Sequence, residues 1–384
     1  MSMTFKNTVI SVSTAFLLSA CGGGSGGSES SLSSNVYTGT STDYSQYAWG
    51  INSNIDATFK ANYSIDNNAH VNIAAAWGKT KGNSVKVAVI DEDFEVNHPD
   101  IRDKIISTYN AMNGSSNVSN TNYVLEDYSH GTGVSGIIAS NSLGSAPDVK
   151  LILINIDLLS AESGDTSSLT DAHVIAAFDH AQAQGAKVIN CSWGGGGISA
   201  AMRNKIDQLK AANINVIFAS GNDGKNLDLD GTNNDEAELD SVLGVGATAA
   251  DNDLAYYSNY GSKIDVVAPG GGRDLSNTPR IGVPSLDLIE NEGVNNGGSL
   301  LNNNYAFTQG TSFAAPLTSG VVALMLAVNP ALTPDRIRTI LTTTATQIGT
   351  GSGADYSVGN FDQKRAFGKI NASAAVQQAE DDIP

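Results

Sequence analysis

Four polar residues could together carry out acyl transfer. A serine hydroxyl is a weak nucleophile at neutral pH and needs an adjacent base. A histidine can take that proton and return it to the leaving group, and an aspartate fixes the tautomer of the imidazole and stabilises its charged form. An asparagine amide can donate to the oxyanion that develops on the attacked carbonyl. In chain order, the candidates for these roles are Asp91, His130, Asn222 and Ser312.

Each candidate also has an ordinary structural explanation. Asp91 follows an apolar run and could cap a turn, and Asn222 lies between two glycines, where a turn is the commoner role. Ser312 could be a helix N-cap, because an apolar run follows it. Pro316 places the start of that helix close to Ser312, since proline is tolerated in the first helical turn. His130 differs from the other histidines, because the glycines beside it would let a substrate backbone approach.

The elements that would position these residues are short apolar runs rich in β-branched side chains. The runs are continuous rather than alternating, which is typical of parallel strands buried on both faces. They cover residues 85–91, 150–156, 187–193, 215–220, 241–247 and 263–268. Helical patterns cover residues 133–140, 168–185, 199–213, about 312–328, 333–345 and about 371–380. This alternation predicts an α/β fold with a doubly wound, mostly parallel sheet flanked by helices.

The predicted sheet places two of the candidates at one edge. In such folds ligands bind beyond the carboxyl ends of the strands. Asp91 and Asn222 follow predicted strands, and Ser312 stands at the N-terminus of a predicted helix, the positive end of its dipole.

The composition limits the classes of function. The chain has 384 residues, 41% of them hydrophobic, which is enough for one large core or two small ones. Its formal net charge is −18, whereas nucleic-acid binding proteins usually carry a basic face, so we expect no nucleic-acid partner. No second domain boundary or internal repeat is evident, and we expect a monomer.

The N-terminus predicts an export signal. Lys6 precedes an apolar stretch, Val9 to Leu18, that is too short to span a bilayer as a mature helix. The stretch ends in Leu18-Ser19-Ala20-Cys21, which resembles the lipobox of bacterial lipoprotein signal peptides, where the cysteine becomes the lipidated first residue. An ordinary secretory signal cut at a small residue is the alternative. If Cys21 is lipidated, Cys191 has no partner, and it is predicted to be a buried free thiol.

We therefore predict a lipoprotein signal peptide over 1–20 and a lipidated Cys21 with a flexible Gly/Ser-rich tether over 21–46. The tether has a reach of about 25–30 Å, by the scaling of roughly 5–6 Å times √n. The lipid anchor implies an extracytoplasmic, membrane-bound protein. Gly22 after the cysteine resembles lipoproteins sorted to the outer membrane, if the cell is Gram-negative.

Several spaced segments resemble the subtilisin-like serine proteases, or subtilases. The likeness runs from about Tyr47 to Ala379, and the candidates appear in the family's order. The segments that carry it are VAVIDEDFEVNHPDI (87–101), HGTGVSGIIA (130–139), VINCSWGG (188–195), ASGNDG (219–224), YYSNYGSKIDVVAPG (256–270), GTSFAAPLTSG (310–320) and AFGKINASAAV (366–376).

This resemblance implies a subtilisin-like peptidase domain over 47–380 that hydrolyses peptide bonds through an acyl-enzyme. The implied catalytic triad is Asp91, His130 and Ser312, and the implied oxyanion hole is Asn222 with the Ser312 amide. Protein or peptide substrates would lie as an extended strand against Ser192, Trp193 and Gly194.

The family also raises the question of metal ions. The chemistry requires no cofactor, but calcium stabilises many subtilases. Asp100 and the segment 141–144 resemble one of the family's calcium loops, although this loop looks shortened, and Asp100 and Asn141 are the candidate ligands. Oxygen donors of this kind suit calcium. A loop that needs no metal is the alternative.

Other segments depart from the family pattern. Glu92 and Asp93 stand where the family commonly has Thr-Gly, and if they point inward they would raise the pKa of His130 and shift the pH optimum upwards. If they face solvent, they would leave the pKa of His130 and the pH optimum unchanged. Trp193 is larger than usual and would narrow a subsite. The segment 230–242 is expected to border the pocket for the P1 residue, where its acidic residues would favour a basic P1 side chain or form a solvated loop. No folded propeptide is expected between Cys21 and Tyr47.

Three functions are consistent with these features. The leading one is a serine endopeptidase, tethered by lipid, that cleaves secreted or surface proteins. The second is a catalytically silent subtilase fold that acts as a binding or scaffold lipoprotein. The third is a maturation protease dedicated to one partner.

Overall fold

The computed structural model describes most of the chain from residue 39 onwards. The described residues are 39–119, 130–158, 169–194, 197–229, 235–272, 281–290, 293–294, 297–349 and 351–383. Cys21, the predicted signal peptide and most of the predicted tether lie outside them.

A seven-stranded parallel sheet lies at the centre of the fold. Its strands are β1 (Lys86–Asp91), β2 (Ile105–Asn110), β3 (Lys150–Asn155), β4 (Val188–Cys191), β5 (Asn215–Ala219), β6 (Leu243–Thr248) and β7 (Val266–Pro269). Their order is β2-β3-β1-β4-β5-β6-β7, and every neighbouring pair is parallel. A separate antiparallel pair is formed by β8 (Val283–Leu286) and β9 (Tyr305–Thr308).

Helices cover both faces of the sheet. They are α1 (Ala57–Asn62), α2 (Ala74–Trp77), α3 (His130–Ala139), α4 (Asp171–Ala183), α5 (Ala200–Ala211), α6 (Thr311–Val328), α7 (Pro334–Thr344) and α8 (Ala372–Asp381). Side-chain oxygens cap five of them, by accepting from backbone N–H groups of the first turn that lack a helical acceptor. The capping residues are Asp56, Thr170, Ser199, Thr333 and Asn371.

The sheet is buried on both faces because successive side chains of a strand enter two different apolar clusters. On β1, Val87 and Val89 belong to one cluster and Ala88 and Ile90 to the other. The first cluster includes the inner side of α3 and α6, and the second includes α4 and α5. This two-sided burial explains why the strands read as continuous apolar runs.

The predicted fold class is confirmed, and the predicted strands appear within about three residues of their expected bounds. Two features were missed. Strand β2 lies at the sheet edge and carries polar residues among its apolar ones, so it has no apolar run. The β8–β9 pair was missed because each strand has only four residues.

Helix α6 is long and apolar enough to cross a membrane, as judged from the described residues. However, 89% of its apolar window is buried inside the fold. It packs against the sheet, as the central helix of a folded domain does.

Candidate active site

Asp91 and His130 form a short hydrogen-bonded pair at the carboxyl end of the sheet. Asp91 is the last residue of β1 and is 0% exposed, and its Oδ1 lies 2.6 Å from His130 Nδ1. The same oxygen accepts from the Glu92 backbone N–H at 2.9 Å. Because Asp91 accepts at Nδ1, the proton of a neutral imidazole lies there, and Nε2 is left as the basic nitrogen.

A glycine brings the two residues together. The Gly131 N–H donates to the Glu92 carbonyl at 2.9 Å, and a Cβ on Gly131 would lie only 2.2 Å from that oxygen. Helix α3 can therefore begin against the end of β1 only because position 131 has no side chain. His130, the first residue of α3, is thereby held beside Asp91.

The two carboxylates that follow Asp91 do not simply face solvent. Asp93 is 5% exposed, and its backbone N–H donates to Asn155 Oδ1 at 3.1 Å. Its carbonyl accepts from the Thr132 hydroxyl at 3.3 Å. Glu92 is half-buried. The upward shift of the pH optimum that these residues would cause stays a prediction.

Ser312 is the second residue of α6, and the loop before it is tightly fixed. Gly310, the N-cap, has φ of +141°, which favours glycine. Its N–H donates to the Gly270 carbonyl at 2.9 Å and lies 3.0 Å from the Tyr257 hydroxyl. Burial raises the pKa of Tyr257, so that hydroxyl stays protonated. The next residue, Phe313, packs edge-on against the His130 ring, with 5.6 Å between the ring centroids.

The start of α6 corrects two details of the sequence interpretation. Ser312 is not the N-cap, which is Gly310. Pro316 lies inside α6, one turn after Ser312, and not at the helix start. The proline removes the N–H that would donate to the Ser312 carbonyl. The Ser192 hydroxyl donates to that carbonyl instead, at 2.8 Å.

Asn222 lies in the loop after β5 with its amide oriented by Thr311. The Thr311 N–H and hydroxyl both donate to Asn222 Oδ1, at 2.8 and 2.9 Å. The Gly221 N–H in turn donates to the Thr311 hydroxyl oxygen at 3.2 Å. With Oδ1 engaged by two donors, the carboxamide presents Nδ2 as its donor end.

The segment Ser192-Trp193-Gly194 runs directly from β4 past the start of α6. The Ser312 hydroxyl donates to the Ser192 carbonyl at 3.0 Å. The Trp193 indole N–H donates to the Ile90 carbonyl at 2.8 Å, and its ring packs edge-on against Phe218. Gly194 is exposed, so the backbone at this position is open to solvent.

Two acidic residues of the segment beside Gly194 are buried. Glu236 is 1% exposed and Glu238 is 7% exposed, so the solvated-loop interpretation is wrong for these residues. Asp235 and Glu238 form a capping box around the turn Glu236–Glu238. Glu236 Oε2 lies 3.2 Å from the place that a Cβ on Gly194 would occupy. The preference for a basic P1 residue, which this carboxylate would favour, stays a prediction.

The donors around Asp100 and Asn141 do not fit a calcium ion. The Asp100 carboxylate accepts from the Ser140 hydroxyl, the Asn141 N–H at 3.3 Å and the Tyr305 hydroxyl at 3.0 Å. The Lys104 ammonium group donates to the Ala139 carbonyl and, at 2.7 Å, to Asn141 Oδ1. These oxygens are the type that calcium prefers, but a lysine cation already binds them. Among the described residues, no group of three or more His, Cys, Asp or Glu side chains could hold a metal ion.

Cys191 is a buried free thiol, as predicted. Burial raises the pKa of Cys191 well above its usual value, and the nearby Asp91 and Glu236 carboxylates raise it further. The thiol is therefore protonated, which is the unreactive form of a cysteine.

Sequence reasoning missed the residues that orient the candidates. Thr311 stands beside Ser312 in the sequence, but its contact with Asn222 joins positions 89 residues apart. Tyr257 was inside a segment already singled out, although no role was assigned to it. Pro316 was a usable signal, because a proline inside a helix frees a carbonyl that some other group must satisfy.

Comparison with known proteins identifies relatives of this arrangement. A family model described as the subtilase family matches residues 82–368. Subtilisin DY from Bacillus licheniformis is 31% identical over 277 residues, which cover 70% of this chain and 86% of that protein. An extracellular protease from Xanthomonas campestris pv. campestris is 32% identical over 348 residues, which cover 81% of this chain but only 54% of the relative.

A solved structure has the same fold. It is a protease from Pseudoalteromonas arctica, with a TM-score of 0.63 and 26% identity. The match covers 81% of this chain and 94% of that one. The similarity extends beyond the central sheet, because it includes most of both chains.

Proposed function

The chain belongs to the subtilase family, and from this premise we propose that Asp91, His130 and Ser312 are the catalytic triad of a serine endopeptidase. Endopeptidase chemistry is that of the family. The proposal adds the assignment of its steps to particular residues of this chain. Asn222 Nδ2 and the Ser312 backbone N–H form the oxyanion hole. The Ser312 N–H is available because the first amides of a helix have no intrahelical acceptor.

In the proposed mechanism, Ser312 Oγ attacks the scissile carbonyl carbon while His130 Nε2 takes the hydroxyl proton. Asp91 keeps the imidazole oriented and stabilises the imidazolium. The oxyanion of the tetrahedral intermediate accepts hydrogen bonds from Asn222 and the Ser312 amide. The imidazolium then protonates the leaving amine, and an ester on Ser312 remains. Water, deprotonated by His130, hydrolyses this ester and restores the free enzyme.

The contact between Asp91 and His130 supports this proposal most directly. The two groups are 2.6 Å apart, and the carboxylate is fully buried at the end of a strand. A buried carboxylate paired with histidine fixes which nitrogen serves as base. The orientation of the Asn222 amide by Thr311 is a second, independent support.

The substrates are proteins, which we propose to bind as an extended strand beside Ser192 and Gly194. Substrate backbone would pair with this segment in the manner of an added β-strand. The Xanthomonas relative is called an extracellular protease, which supports cleavage of secreted or surface proteins by this chain. We also propose that the enzyme acts as a monomer.

We propose that Cys21 is lipidated and tethers the enzyme to a membrane outside the cytoplasm, the outer membrane if the cell is Gram-negative. The full chain should then sediment with membranes, and Cys21→Ala should release it into the soluble fraction. Cys191→Ala is the matched control, since that buried cysteine should not affect the partition. A Cys21→Ala protein that remains with the membrane would refute the anchor.

The catalytic assignment is tested by protein hydrolysis. Wild type should cleave casein, and Ser312→Ala or His130→Ala should lower kcat by on the order of 10⁶-fold, as known for these positions in subtilisin. Folding of the variants is checked by circular dichroism. A folded Ser312→Ala variant with wild-type activity would overturn the assignment. A wild type that is inert on casein but labelled at Ser312 by a serine-directed probe would indicate a dedicated maturation protease.

A further inference from the structure

A buried chain of polar side chains connects α6 to the end of β4. Ser319 Oγ donates to Asn190 Oδ1 at 2.9 Å, and Asn190 Nδ2 donates to Ser192 Oγ at 2.9 Å. Ser192 Oγ donates to the Ser312 carbonyl at 2.8 Å. All four residues are buried. The chain therefore begins and ends on the same helix, seven residues apart, and passes through β4 between them.

The direction of each hydrogen bond in this chain is fixed. Asn190 Oδ1 accepts from Ser319, so Nδ2 is the end that meets Ser192. Because the Ser192 oxygen accepts from Nδ2, its single proton is available for the Ser312 carbonyl. That carbonyl has no regular helical donor, because Pro316 carries no N–H. The serine hydroxyl thus satisfies a buried acceptor that the helix cannot satisfy.

We propose that Ser319, Asn190 and Ser192 position the nucleophile by holding the Ser312 backbone at a fixed depth against the substrate-binding segment. The proposal rests on the catalytic role of Ser312 stated above. These three are positioning residues, since they act through the Ser312 main chain. The Ser192 carbonyl also accepts a hydrogen bond from the Ser312 hydroxyl, at 3.0 Å. Two reciprocal hydrogen bonds therefore join the two serines.

This arrangement sets the distance between Ser312 and the groups that act with it. Helix α6 can slide or tilt only by breaking the chain of hydrogen bonds. A displacement of about 1 Å at a reacting group can lower the rate about 10²-fold. Loss of the chain should therefore reduce the rate of the chemical step more than it weakens substrate binding.

The test compares Ser319→Ala with Thr318→Val in the full-length enzyme. Thr318 is the adjacent, equally buried residue of α6, and its hydroxyl donates only to the Ala314 carbonyl at 3.0 Å. Active sites are counted by titration, so that a loss of folded protein does not appear as a loss of kcat. Ser319→Ala should lower kcat per titrated site about 10-fold, with KM nearly unchanged, and Thr318→Val should not.

A second comparison uses the proline. Pro316→Ala restores an N–H that can donate to the Ser312 carbonyl, so Ser192→Ala should lower kcat less in that background than in wild type.

Equal values of kcat for Ser319→Ala and Thr318→Val would overturn the proposal. A decrease in kcat for Ser192→Ala that is the same with and without Pro316→Ala would also overturn it. If Ser312→Ala were itself fully active, the catalytic assignment would fail instead.

Discussion

At the scale of single residues, the site depends on how one side chain fixes the orientation of the next. Asn222 could direct either end of its amide into the cleft. Thr311 removes this ambiguity, because its N–H and hydroxyl both donate to Asn222 Oδ1. The donor end is then preorganised, and little reorganisation is needed when the oxyanion forms.

This orientation gives a graded prediction. Asn222→Ala should lower kcat by about 10²–10³-fold with little change in KM, the loss known for this donor in subtilisin. Thr311→Val removes one of the two orienting bonds and should lower kcat by a smaller factor. Thr308→Val is the control, since that hydroxyl donates to the Val283 carbonyl outside the site. Steady-state kinetics would contradict this account if Thr311→Val and Thr308→Val were equivalent.

The residue types and their local sequences predicted that Asp91 and His130 lie together, and the structure places their side chains 2.6 Å apart. Asp91, His130 and Asn222 follow recognisable strand ends or glycine-flanked turns. The sequence could not predict the partners of Thr311 or Ser319, because each bond joins distant positions through the folded structure. It also left open whether Glu236 is solvated, since burial of a charged residue leaves no pattern in the sequence.

At the scale of elements, a lysine side chain binds the oxygens of the loop after α3. The Lys104 ammonium group binds the Ala139 carbonyl and Asn141 Oδ1, near the Asp100 carboxylate. Burial lowers the pKa of Lys104 to about 8, so it remains mostly charged at pH 7. The sequence suggested Asp100 and Asn141 as ligands because the position of Lys104 beside them depends on the folded structure.

Removal of calcium should therefore leave the fold unchanged at this loop. Any difference between the melting temperatures with calcium and with a chelator should therefore be the same in the wild type and in Asp100→Asn. Lys104→Met should lower the free energy of unfolding by about 1–3 kcal/mol, because two carbonyl-type oxygens lose their donor. Lys263→Met, which removes an exposed ion pair with Asp240, should have a much smaller effect.

The opposite result would be informative. If the chelator lowered the melting temperature of the wild type, and Asp100→Asn abolished that difference, the loop would be a calcium site. The original interpretation of Asp100 and Asn141 would then be correct.

The elements themselves were predicted where their signal was strong. The central strands and α6 are continuous apolar runs, and the fold buries them. Strand β2 lacks such a run because its residues are only partly buried or exposed, and β8 and β9 have only four residues each.

At the scale of the whole molecule, distant parts of the chain are joined by a buried lysine. The Lys369 ammonium group donates to the Asn68 carbonyl and to Asn252 Oδ1. It thus connects the N-terminal region, the loop after β6 and the segment before α8. Burial lowers the pKa of Lys369 from 10.5 to about 7, and the nearby Asp66 opposes this shift only partly.

The lowered pKa predicts how stability depends on pH. Between about pH 7 and pH 10.5 the unfolded chain binds a proton at this lysine that the folded chain has released, so the contribution of Lys369 to stability rises with pH. Relative to Lys369→Met, the wild type should gain stability from pH 7 to 9.5, by at most about 1.4 kcal/mol per pH unit. Urea unfolding across this range measures the difference. A constant difference, or one that falls with pH, would contradict the prediction.

The central claim is that Ser312 is an activated nucleophile, and covalent labelling tests it most directly. The full-length protein is treated with a fluorophosphonate, digested and searched by mass spectrometry for the modified peptide. We predict one adduct, on Ser312, that is absent in Ser312→Ala and forms far more slowly in His130→Ala. A folded wild-type protein with no adduct on Ser312, or with the same rate of labelling in His130→Ala, would contradict the account.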